Sequence, residues 1–194
     1  MSLIVLIGAQ AVGKMTVGKE LEKRINAKLL FNHQTIDLFA NYLGYTKYAF
    51  ELSDLVRKKL FEDFVLNRGN NATNSIIFTV VTAFDQQEDI DFLNDISKTF
   101  IDEDESVYFV ELVSDLQTRL NRNKTETRLE AKPSKRDLKA SERDLLTTND
   151  DHRLISRDNE LTELFPNVNC LKINNTDLSA PEVCEMIISK FELN

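Results

Sequence analysis

Leu3-Ile4-Val5-Leu6-Ile7-Gly8-Ala9-Gln10-Ala11-Val12-Gly13-Lys14-Met15-Thr16 decides how this chain is read. Five apolar residues form a buried strand, a glycine-bounded loop follows, and a helix starts at about Lys14. Gly8 and Gly13 stand at the spacing G-x-x-x-x-G-K of the phosphate-binding loop, with Lys14 directly after. Glycine lets such a loop curl until successive N–H groups face one anion. The helix behind it adds the positive end of its dipole, and the lysine adds a full charge. The motif's context is also present, because Val17, Leu21 and Ile25 recur every four residues and give the helix one apolar stripe. One departure stands out. The hydroxyl that normally follows the lysine is replaced by Met15, and a threonine comes one place later, at Thr16.

The 194 residues suit a single domain, 1–194. A hydrophobic share of 42% supports a core, and a net charge of −8 sets the molecule against nucleic acid and anionic membranes at long range. No run reaches the roughly 18 apolar residues of a membrane span. The short apolar N-terminus has no basic lead-in and reads as a strand rather than a leader, so a cytoplasmic protein is expected. Cys170 and Cys184 follow no metal or redox spacing and are expected as reduced thiols.

Apolar runs at Leu3–Ile7, Lys28–Phe31, Ser75–Thr82, Ser106–Val113 and Asn169–Asn174 alternate with helical patterns. That alternation predicts an α/β fold with a parallel sheet covered on both faces. A long helical region runs from Thr35 to about Asn67, with breaks expected near Gly44 and Ser53. The last helix carries a capping box, Ser179 with Glu182, and Pro181 in its first turn. From Arg119 to Arg143 nine Lys/Arg face four acids, a basic segment in an acidic chain. Its Pro133 predicts two short helices meeting near Lys132–Ser134. The segment reads either as a place where phosphates are held or as a solvated helical surface.

With this loop, five strands and a basic insert after the fourth, the chain resembles the small P-loop kinases, the group of shikimate, gluconate, nucleotide and chloramphenicol kinases. Ala11-Val12-Gly13-Lys14-Met15-Thr16-Val17, with Asn32-His33 behind the second strand, is similar to a shikimate-kinase-like branch carrying A-V-G-K-[LM]-T. The resemblance implies a three-layer α/β/α domain with a five-stranded parallel sheet in the order 2-3-1-4-5. It further implies ATP with Mg2+ at the strand C-termini and a mobile lid over 119–145. It places Gly8, Ala11, Val12, Gly13, Lys14, Met15, Thr16 and Arg119 around the nucleotide, with Thr16 as the hydroxyl for the metal. Lys14, Arg122 and Arg128 are implied as charge-bearing catalytic groups, and Lys132, Lys135 and Arg136 fall where lid cations would lie. The D-x-D of shikimate kinases is replaced by Phe31-Asn32-His33-Gln34, and their triple glycine is absent, which argues against shikimate.

The implied activity is transfer of the ATP γ-phosphoryl group to a hydroxyl of a small molecule, the one partner expected. Three residues compete to orient that hydroxyl: Asp37 one helical turn after His33, His33 itself, and Asp85 behind the third strand. Each also has a bland reading, as a helix-start acid, a structural histidine and a helix cap, and Asp85 reads further as the acid that orders magnesium behind a strand in many P-loop proteins. Arg57 is either an anchor for an anionic acceptor or a solvated side chain. Two other readings stay open: a nucleotide-binding protein without transfer, and a kinase of RNA ends. The second is opposed by the net charge and by the lack of aromatic residues in 119–143.

Overall fold

The computed structural model describes residues 1–193. Five strands, β1 (Ser2–Ile7), β2 (Ala27–Phe31), β3 (Ser75–Val80), β4 (Ser106–Val113) and β5 (Asn169–Asn174), form one parallel sheet in the order β2-β3-β1-β4-β5. β1 is buried along its whole length at the centre, as an uninterrupted apolar run demands. Its side chains alternate between two cores. Leu3, Val5 and Ile7 join Phe61, Phe78, Phe100 and Phe109 on one face, where the Phe61 and Phe78 rings meet edge-on at 5.5 Å. Ile4 and Leu6 join Val17, Leu21, Val183 and Ile187 on the other.

The helices divide accordingly. α1 (Lys14–Leu21) and α9 (Ala180–Phe191) pack together on the second face. α3 (Lys47–Leu66), α4 (Gln87–Ile101) and the short α8 (Glu160–Leu164) cover the first. α2 (His33–Leu43) packs on α3. The three-layer architecture and strand order are those expected. The capping box of α9 is formed, with Ser179 Oγ accepting from the Glu182 N–H and Glu182 accepting from the Ser179 N–H at 2.8 Å.

Three local expectations need correction. β3 stops at Val80 rather than Thr82, because Val80 pairs with Ile7 and the neighbouring strand then turns away at Gly8. The break near Gly44 exists, but none occurs at Ser53, which lies fully buried inside α3. Its hydroxyl donates to Thr35 Oγ1 at 2.7 Å, so a partner on α2 satisfies it within the helix. The basic segment forms α5 (Leu116–Asn123), α6 (Glu126–Ala131), a 3-10 turn at Pro133–Lys135, and α7 (Leu138–Asp151); the break at Pro133 is present, but the segment holds three helices rather than two, with a further break at Lys124–Thr125. Both cysteines are free, and burial pushes each thiol up to about 11, which leaves them unreactive. Among the described residues no helix is long and apolar enough to cross a membrane.

Candidate active site

The loop between β1 and α1 is shaped by three residues with positive φ: Gly8 (145°), Ala11 (60°) and Gly13 (112°). At Gly8 a Cβ would run into the carbonyl oxygen of Leu112 on β4, so only glycine fits there. Ala11 holds the left-handed conformation at a steric cost, the kind of local strain that folds keep where the backbone must serve a site. The loop is braced from outside. Arg119 Nε donates to the Gln10 carbonyl at 3.0 Å and its Nη1 to Asn149 Oδ1 at 2.8 Å, which ties the loop to α7. Arg122 Nη1 donates to the Val12 carbonyl at 3.0 Å, and its Nη2 to those of Asn175 and Thr176 at 2.8 and 3.2 Å. Asn175 Nδ2 also donates to Val12 O, at 2.9 Å.

Lys14 curls back over this loop and donates to the carbonyls of Gly8 and, at 2.8 Å, Ala9. Burial holds its ammonium well below the ordinary lysine range, and the nearby charges of Lys132, Arg128 and Arg119 push it further down. Lys132 is lowered to about 7, again by burial first and then by Arg128 and Lys135. Arg128 is held through Nε by Asn123 Oδ1 at 3.0 Å, and burial lowers it too. These cations crowd one place with little acid nearby. Asp144, the carboxylate among the cleft's lining residues, is already paired with Lys135 at 2.8 Å.

The cleft has a volume of about 600 Å³ and is lined by the loop, the ends of β2 and β3, the segment after β5 and the basic segment above. The strand order sets its two ends on opposite sides of the loop. Toward β5 lie Asn175, Leu178 and Ala180; toward β2 and β3 lie Asn32, His33, Ile36, Tyr45, Phe50 and Val81. His33 Nδ1 is 2.8 Å from Asp37 Oδ1, which also accepts from the Tyr45 hydroxyl at 2.9 Å. Ser134, in the 3-10 turn, comes within 3.5 Å of the same imidazole nitrogen. Burial lowers the His33 pKa, opposed by the Asp37 bond, so the ring is neutral at pH 7. Burial pushes the Asp37 carboxyl up, and the bonds from His33 and Tyr45 together with the charges of His33 and Lys132 more than offset it, leaving the group below its ordinary value.

The structure therefore gathers Gly8 to Thr16, His33, Asp37, Arg119, Arg122 and Arg128 in or directly behind one cleft. Two expected site residues lie elsewhere. Arg57 is only 3% exposed and has every branch of its guanidinium engaged: Nε with Thr35 Oγ1 at 2.7 Å, Nη1 with Asp54 at 2.8 Å and Nη2 with the Asn32 carbonyl at 2.6 Å. It is neither an anchor nor a solvated side chain but a strut between α3 and the end of β2. Asp85 is not among the residues that line the cleft and accepts the Arg153 N–H at 3.0 Å, fastening the chain after α7 to the segment behind β3. Met15 is buried in the apolar core beside Val12 and Val17, so its place offers no oxygen to a cation, whereas Thr16 is exposed at the cleft wall. Sequence reasoning passed over Asn175, Tyr45 and Phe50. The polar run Asn174-Asn175-Thr176 just past an apolar strand was a usable signal for the first.

A nucleotide fits these residues. The uncompensated cations call for a polyanion, and Asn175 Oδ1 is buried without a partner beside the loop. A protein-built metal site does not: among the described residues no three His, Cys, Asp or Glu side chains converge.

No family model matches the chain, and no match is found among the curated proteins. Solved structures do match. A candidate kinase of Chloroflexus aurantiacus is 13% identical with a TM-score of 0.64, over 98% of this chain and 96% of that one. The shikimate kinase of Acinetobacter baumannii, solved with shikimate, is 18% identical with a TM-score of 0.54, over 98% and 92%. The APS kinase of Mycobacterium tuberculosis, solved with AMPPNP and APS, is 15% identical with a TM-score of 0.52, over 98% and 97%. At such identities the likeness is one of fold, and the fold is that of the small P-loop kinases, which serve varied substrates.

Proposed function

We propose that this protein transfers the γ-phosphoryl group of ATP to a hydroxyl group of a small molecule. The observation that carries the reading is one cleft holding a buried loop ammonium, several unpaired-off cations and, at its far end, a neutral imidazole set against a carboxylate. Phosphoryl transfer is mainly positioning and charge neutralisation, and these are the groups it requires. Lys14 and the loop N–H groups hold the phosphate chain once the ammonium leaves the carbonyls of Gly8 and Ala9. Arg128 and Lys132, carried on 119–145 as a lid, cover the transferring group and keep water out. Arg119 and Arg122 position the loop rather than touch substrate.

His33 is the base in this reading, and Asp37 positions it. With Nδ1–H bound to Asp37, Nε2 accepts the hydroxyl proton. The acceptor oxygen then bonds to phosphorus as the bond to the ADP oxygen breaks and ADP departs. Magnesium would enter with the phosphates, neutralising their charge, with Thr16 as the nearby hydroxyl and water completing its shell.

The neighbouring kinases named above support this reading through their shared fold. Buried Met15 favours one rival, a protein that binds nucleotide and transfers nothing. Calorimetry with ATP separates binding from no binding, and transfer of labelled γ-phosphate to a panel of alcohols separates a kinase from that rival. Wild-type binding lost in Lys14→Ala, with label reaching an alcohol, is the expected result. ATP binding that survives Lys14→Ala unchanged would reject the site.

A further inference from the structure

Three of the protein's four tyrosines, Tyr42, Tyr45 and Tyr48, fall within seven residues, and Phe50 comes two places later. All lie at the turn from α2 into α3, and all are open, with Tyr42 at 84%, Tyr48 at 63% and Tyr45 at 54% exposure. Aromatic side chains exposed together at one turn form the kind of apolar surface that ligands and partners use. It is continuous with the cleft, because Tyr45 and Phe50 line its β2–β3 end, and Ile36 and Val81 carry the apolar wall inward toward His33. The Tyr45 ring is held there by its hydroxyl bond to Asp37.

Charge agrees with this. The α3 guanidinium nearest this wall, Arg57, is fully engaged within the protein and has no donor left for a carboxylate. The ammonium groups coupled to His33 are Lys132 and Lys135, both on the segment that carries the phosphate-facing cations, and Lys135 is paired with Asp144. The end of the cleft that holds the imidazole thus offers rings and aliphatic surface beside one proton acceptor, with Asn32 and Ser134 as its uncharged polar groups and Lys132 shared with the phosphate-facing segment.

We infer that the phosphoryl acceptor is an alcohol on an apolar, ring-containing body, gripped by Tyr45 and Phe50 at the mouth with its hydroxyl directed to His33. This rests on the phosphotransfer reading and narrows its substrate class, setting aside small polyols and carboxylate-bearing sugars. Stacking against two aromatic side chains supplies the affinity, and no charge on the acceptor is needed.

The test is calorimetric titration of the full chain saturated with a non-hydrolysable ATP analogue. The probes are 3-phenylpropan-1-ol and 2-(naphthalen-2-yl)ethanol against glycerol, sorbitol and gluconate. The aryl alcohols should bind and the polyols should not. Phe50→Ala should weaken the aryl alcohols about tenfold. Tyr45→Phe, which keeps the ring, should retain most of that affinity, and both variants should bind the analogue as the wild type does, which also shows that they fold. Absence of aryl binding at millimolar concentration, tighter binding of a polyol, or indifference to Phe50→Ala would each overturn the inference. So would a change of oligomeric state in Tyr42→Ala and Phe50→Ala without loss of aryl affinity, since the face would then cover a second copy. Failure of the wild type to bind the analogue strikes the phosphotransfer reading itself, and the acceptor class falls with it.

Discussion

The carboxylate of Asp37 stands 2.8 Å from Nδ1 of His33, one helical turn behind it, and leaves Nε2 as the free nitrogen of that ring. A carboxylate in this position fixes the tautomer and raises the ring's basicity, while burial and the lid ammonium of Lys132 lower it. His33→Gln should therefore cut phosphoryl transfer by about 10²- to 10⁴-fold with ATP affinity unchanged. Asp37→Asn should cost less, and because Asp37 pulls the His33 pKa upward, its loss should move the acid limb of the pH–rate profile to lower pH. Tyr45, Lys132 and Lys135 also face the pair and stay in place, so the limb's movement reports Asp37 alone. A slower variant with an unmoved limb would make Asp37 a helix-start acid and nothing more.

Lys14 presents the opposite case, a charge held where it gains little until a ligand arrives. It sits among Lys132, Arg128 and Arg119 and spends its hydrogen bonds on the loop's own carbonyls. Lys14→Ala should lower ATP affinity about 10- to 100-fold, the value of a charge-assisted hydrogen bond to phosphate. The melting temperature without nucleotide should not fall, since a buried, repelled cation has been removed. A large drop in that temperature would show the lysine to be a structural clip.

What the sequence disclosed, and what it hid, follows the range of the interactions concerned. The β1–loop–α1 unit, the break at Pro133 and the Ser179–Glu182 cap are local devices, complete within a few residues, and each is present as read. Ser53 looked like a helix break because its hydroxyl has no local use, yet Thr35, 18 positions away, satisfies it. Arg57 and Asp85 carry the chemistry of site residues, but their partners Asn32, Thr35 and Arg153 come from other elements and turn both into struts. Asn175 and Tyr45 reach the cleft only because the sheet order brings the ends of β5 and β2 to either side of one loop. No periodicity records that order.

Arg57 supports a stability prediction. Arg57→Ala would strand the Asn32 carbonyl and the Thr35 and Asp54 oxygens, and should cost about 3 kcal/mol in denaturant unfolding. Arg57→Lys should recover little, since one ammonium cannot reproduce a planar fork with three separate partners. If Arg57→Ala kept its stability and instead lost affinity for an anionic acceptor, the guanidinium would have to be a substrate anchor after all.

Lys132 links nucleotide binding to pH. In the free protein its pKa is about 7, lowered first by burial and then by Arg128 and Lys135, with Asp37 pulling weakly the other way. The unfolded chain keeps the ordinary value of 10.5, so between the two the unfolded state binds more protons. Stability without nucleotide should accordingly rise as pH climbs from about 7 toward 10. A triphosphate beside the amine favours its charged form and lifts the pKa, so binding at pH 8 must take up protons. Titrations of ATP in buffers of different ionisation enthalpy would measure that uptake as a buffer-dependent heat. Lys14 shifts in the same direction and contributes its own share. The difference between wild type and Lys132→Met therefore isolates the lid lysine, and an uptake equal in the two proteins would remove Lys132 from the phosphate site.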